Sequence, residues 1–98
     1  MQKAPDNYVP DQAVIEAEIR RIDAAIDNFA CEMKKAMARK AQEGRTGWAD
    51  PKNEGETISS LIAHALVAER QAGHEAHIGN FAMMLWVQRG TQQQLAAA

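Results

Sequence analysis

From Asp11 to Glu43 the chain contains neither proline nor glycine. Within that stretch Ile15, Ile19, Ile22, Ile26, Phe29, Met33 and Ala36 recur at alternating steps of four and three. Such spacing places all seven side chains on one stripe of a helix, close to a heptad seam. The sequence therefore predicts one long amphipathic helix of about 50 Å, at about 1.5 Å per residue. Asp11 is suited to cap its start, and Gly44 to end it in a left-handed turn. Charge is sorted along the helix: Glu16, Glu18, Asp23 and Asp27 come first, and Lys34, Lys35, Arg39 and Lys40 follow. That order opposes the helix dipole favourably.

The remaining pattern completes an all-α reading. Residues 1–10 hold Pro5 and Pro10 and read as an extended arm, with Tyr8 and Val9 available to pack on the domain. Residues 11–90 read as a single helical domain, since 98 residues suffice for one core only. Gly44 to Glu56 is rich in turn formers and carries one large apolar residue, Trp48. Thr57 is a candidate cap for a second helix with Ile58, Leu61, Ile62, Ala65 and Leu66 on its apolar face, ended by Gly73. A third helix is expected from about His74 or Glu75 to Arg89, stopped by Gly90. Its apolar residues surround it, which fits a central helix or one shared with a partner. Gly79 leaves room on it for another helix to approach. The short link makes the second and third helices an antiparallel hairpin packed against the long one. Residues 91–98 read as a tail. The residues assigned to core or interface are Ile22, Ile26, Phe29, Phe81, Met83, Leu85 and Trp86.

Composition narrows the function. A net charge of −2 argues against a general nucleic-acid binder. The longest apolar run, Phe81 to Val87, is too short for a bilayer. The N-terminus lacks a signal-peptide core, and one cysteine, Cys31, excludes an intrachain disulfide. These features predict a cytoplasmic protein, in a cell or an infected host. Lys34, Lys35, Arg39, Lys40 and Arg45 concentrate positive charge and are candidates for an anion or nucleotide site, with Trp48 as a stacking wall. His74 and His77 share a helix face at i,i+3; with His64 from the helix before, they are candidate ligands for a transition metal. Solvated histidines would explain the same spacing. No catalytic residue is assigned.

Two segments, Phe29 to Trp48 and His77 to Leu85, with Asn80-Phe-Ala-Met-Met-Leu85 as the most specific part, resemble phage and prophage proteins related to the MazG-like all-α nucleotide pyrophosphohydrolases, including their dATP/dGTP-directed branch. The resemblance covers about half of the chain. It implies a helical bundle completed by oligomerisation, a nucleotide substrate and Mg²⁺ held by carboxylates, with Asn80 at a family position near the nucleotide. The family's acidic pairs are replaced here: His74 and His77 occupy one, and only Glu69 stands near the other. Imidazoles are poor Mg²⁺ ligands. The expectation is therefore a small phage-type helical accessory protein, self-associating, that acts by binding a host protein rather than by catalysis. The alternative is a nucleotide-binding or altered MazG-like pyrophosphohydrolase.

Overall fold

The structure is a computed structural model, and it describes residues 7–90. Three α-helices follow one another: α1 (Gln12–Gln42), α2 (Glu54–Ala68) and α3 (Glu75–Arg89), with one 3₁₀ turn, Pro51–Asn53, leading into α2. No strand occurs among the described residues. The all-α arrangement of a long first helix against a helical hairpin is the one the periodicity predicts.

The helix ends have local causes. The Asp11 carboxylate accepts from Ala13 N–H at 2.9 Å and Val14 N–H at 3.4 Å, filling two of the donors a helix start leaves free. At the other end Gly44 adopts φ +81°, and Arg45 N–H closes back to the Lys40 carbonyl at 3.0 Å. A side chain at Gly44 would strain that left-handed turn. The second helix begins earlier than its sequence suggests. Asp50 caps Pro51–Asn53 by accepting from Lys52 N–H at 3.0 Å, and the chain passes directly into α2 at Glu54. Thr57 is consequently not the cap. It is buried one turn inside, where its hydroxyl donates to the Asn53 carbonyl at 2.9 Å. Gly73, at φ +104°, turns the chain between α2 and α3 rather than terminating α2 itself.

The third helix is the centre of the molecule. It packs along α2 and against the C-terminal half of α1, while α1 and α2 do not pack on each other. Gly79 leaves room for two α1 side chains: a Cβ there would stand 2.8 Å from the Phe29 ring and 3.1 Å from the Met33 sulfur. Beside it the Asn80 amide donates to the Met33 carbonyl at 3.0 Å. At the far end Arg89 pairs with Glu54 at 2.8 Å, joining the last turn of α3 to the first turn of α2.

The core is small. Among the described residues the buried apolar ones are Ala36, Met84 and Val87, and no large side chain is fully buried. Every residue from 18 to 29 on α1 is exposed. The assignment of Ile22, Ile26 and Phe29 to a core is therefore corrected for the single chain: they are 43%, 59% and 39% exposed. The physical reason is length, because α3 is half as long as α1 and covers only its second half. Trp86 is likewise exposed, beside a shallow groove it shares with Leu61 of α2 and Leu85, whereas Phe81, Met83 and Leu85 are half-buried. Tyr8 and Val9 do not tie an arm down; both are exposed. The rest of the arm and the tail lie outside the described residues.

Candidate functional site

The loop after α1 is held by a hydrogen-bonded chain of side chains. Asn53 donates to the Gly47 carbonyl at 2.8 Å. Gln88, buried on α3, donates to the Trp48 carbonyl at 2.6 Å and to the Thr57 hydroxyl at 2.9 Å. The loop therefore lies across the junction of α1 and α3, and Trp48 is half-buried there. Sequence reasoning did not find Gln88, Thr57 or Asn53 as the fasteners. Gln88 offered one signal, a polar residue at the end of an otherwise apolar helix that must find a partner when buried.

Between α1, α3 and this loop lies a cavity of about 550 Å³. Met33, Met37, Met83 and Met84 form its walls with Trp48, and Lys34, Lys40 and Arg45 supply positive charge. Of the residues predicted for an anion site, Lys34, Lys40, Arg45, Trp48 and Asn80 are brought together in this lining. Lys35 and Arg39 are not. Lys35 pairs with Glu32 at 3.2 Å on the exposed face of α1. Arg39 lies toward His77 instead, close enough for its charge to act on that imidazole. Asn80 has an occupation of its own, the hydrogen bond to Met33, so its amide joins two helices before it meets any ligand. Arg45 is also engaged, with Glu43 at 3.3 Å in an exposed pair that solvent weakens.

The lining contains no Asp or Glu. Mg²⁺ requires oxygen ligands, commonly carboxylates together with substrate phosphates. The residues of this cavity therefore do not fit a Mg²⁺ centre, and no hydrolytic step follows from them.

The three histidines converge at the turn between α2 and α3. His64 Nδ1 and His74 Nδ1 stand 3.1 Å apart. The ring centre of His77 lies 5.2 Å from that of His64 and 6.2 Å from that of His74. Phe81 closes one side, 5.1 Å from His64. Burial lowers the pKa of His77, and the adjacent His64, Lys40, His74 and Arg39 push it the same way. The Glu75 carboxylate accepts from its own backbone N–H and from Gly73 N–H, and with the neighbouring His74 these hold it below the usual carboxylate range. In the side-chain positions of this structure, no three His, Cys, Asp or Glu groups among the described residues stand ready around one metal position.

No family model, curated protein or solved structure matches this chain. No helix among the described residues is long and apolar enough to cross a membrane.

Proposed function

We propose that this chain is a non-catalytic protein-binding module whose working element is the apolar seam of α1. The observation that carries this reading is the exposure of Val14, Ile19, Ile22, Ile26 and Phe29 along a helix whose own chain covers only its second half. Apolar area left in contact with water gains roughly 25 cal/mol per Å² when a partner covers it. A second copy of the same segment offers a matching stripe of Val14, Ile19, Ile22, Ile26 and Phe29, and self-association through this uncovered half is the resting state of the module. A host protein offering a similar helix, for a phage-encoded chain, would displace it.

The test uses the single thiol. Cys31 is exposed on α1, so a nitroxide placed there reports proximity between chains without engineered cysteines. Dipolar coupling between labels, with a dimeric or higher mass by light scattering, is expected, and both are lost in Ile22→Lys/Ile26→Lys. A monomer without coupling at all concentrations, together with unchanged partner capture by the double variant, overturns the reading.

A second reading is favoured by one observation, the meeting of Lys34, Arg45, Trp48 and Asn80 around one cavity. There the chain binds a nucleoside triphosphate without hydrolysing it, as a MazG-like bundle that has lost its carboxylates. Trp48 stacks on the base while Lys34, Lys40 and Arg45 face phosphates. In Trp86→Phe the fluorescence of Trp48 reports alone. Saturable quenching by a dNTP, weakened in Lys34→Ala, is the expected result. Release of pyrophosphate would instead establish an enzyme, and no response at millimolar nucleotide removes the reading.

A further inference from the structure

All three histidines of the chain meet at one place, although they come from two helices and a turn. None of the three histidines lines the methionine cavity or belongs to the exposed α1 seam. Its closest pair has a specific geometry. Two imidazole nitrogens bound to one tetrahedral Zn²⁺, at about 2.0–2.1 Å each, are about 3.3 Å apart. His64 Nδ1 and His74 Nδ1 stand at 3.1 Å, close to that edge. The same separation suits a hydrogen bond between neutral rings, so the pair alone does not distinguish the two uses. The third ring favours the metal: His77 is one helical turn beyond His74, on the same face, and its ring centre lies 5.2 Å from that of His64. As the rings stand the three do not surround one metal position, so the site requires His77 to turn in.

We propose that His64, His74 and His77 form a binding site for a transition-metal dication of the zinc, cobalt and nickel class, in which His64 Nδ1 and His74 Nδ1 supply two ligands and His77 turns in as the third. Imidazole suits these ions and not Mg²⁺ or Ca²⁺. The nearest carboxylate, Glu75, is held by Gly73 and by its own backbone. Three ligands leave a fourth position for water. The ion would fasten the α2–α3 turn, because His64 lies on α2, His74 caps α3 and His77 lies in its first turn. Arg39 and Lys40 from α1 oppose the dication, and Phe81 lies against the His64 ring, 5.1 Å between centres.

The full chain, made without a polyhistidine tag and stripped with a chelator, is titrated with Zn²⁺ by calorimetry and with Co²⁺ by visible absorption. One ion per chain, bound in the micromolar range, is expected, with the absorption of a four-coordinate Co²⁺ and a raised Tm. His64→Ala, His74→Ala and His77→Ala are each expected to weaken binding more than about tenfold, since loss of an orienting group alone reaches that size. Circular dichroism checks helix content in each variant, and His64→Gln replaces His64→Ala if the smaller side chain unfolds the turn. Absence of saturable binding by the folded wild-type chain overturns the site. So does undiminished binding in folded His64 and His74 variants. Loss with those two but not with His77→Ala overturns the three-ligand assignment.

Discussion

Gly79 and His77 show how single residues set the packing and the electrostatics of this molecule. At Gly79 two effects oppose. Alanine gains about 1 kcal/mol of helix propensity, and the contacts its Cβ meets are the tips of Phe29 and Met33, which can shift. Gly79→Ala is therefore expected to leave thermal stability nearly unchanged. Gly79→Leu has no such escape and should cost about 1–3 kcal/mol, the usual range for overpacking. Chemical denaturation of both variants checks this; equal stability for the leucine variant would show that α1 does not rest on α3. His77 gives a pH dependence in the metal-free protein. Its folded pKa is lowered, chiefly by burial and further by His64, Lys40, His74 and Arg39. The unfolded chain then binds more protons just below the ordinary imidazole value of about 6.5. The stabilisation is present above that pH and is lost as pH falls through the lowered folded value. The slope of stability against pH in that window, in chelator, should flatten in His77→Gln. An equal slope in both proteins contradicts the assignment. Glu75, whose carboxyl is also lowered, contributes below the ordinary carboxylate value, where His77→Gln leaves its share unchanged.

The elements differ in how far the sequence exposes them. The long helix is legible because its stripe, its Asp11 cap and its Gly44 stop agree with one another. Asp11→Ala should cost about 1 kcal/mol of helix stability, measured by thermal melting, because two backbone N–H groups lose their acceptor. An unchanged melt would mean the first turn is frayed already. The start of α2 is less legible. Asp50-Pro51 reads as a turn, but it is a turn already wound as a 3₁₀ helix and continuous with α2, so Thr57 becomes an internal hydrogen-bonding residue. Periodicity does not reveal which partner satisfies such a hydroxyl. It also locates the stripe of α1 without saying how much of it is covered, since coverage depends on the length of a helix elsewhere in the chain. For the candidate sites the same limit holds. Spacing joins His74 to His77, but His64 reaches them only through the angle of the α2–α3 turn. Lys34 and Lys35 are adjacent in sequence, yet one lines the cavity and the other pairs with Glu32.

The whole molecule is elongated. Its Cα radius of gyration is 17.1 Å, against about 13 Å for a compact chain near this length. With so few buried side chains, its stability should depend on protein concentration, because association adds to the folded state alone. Trp86→Lys is a fitting probe. Trp86 is 60% exposed in the single chain, so lysine costs the isolated fold little while charging a surface available to a partner. The expected outcome is a smaller mass by light scattering with unchanged helix content at low concentration. Native mass together with native Tm would exclude Trp86 from any interface. The central place of α3 has a consequence for the order in which the protein is made. Neither of the earlier helices has a neighbour in its own chain until α3 has left the ribosome, so α1 emerges first as a bare amphipathic rod. During that interval Met33 and Ala36, which α3 later covers, are as open as the isoleucines to chaperones or to the same segment on a neighbouring nascent chain. Pairing between chains could then precede the completion of each one.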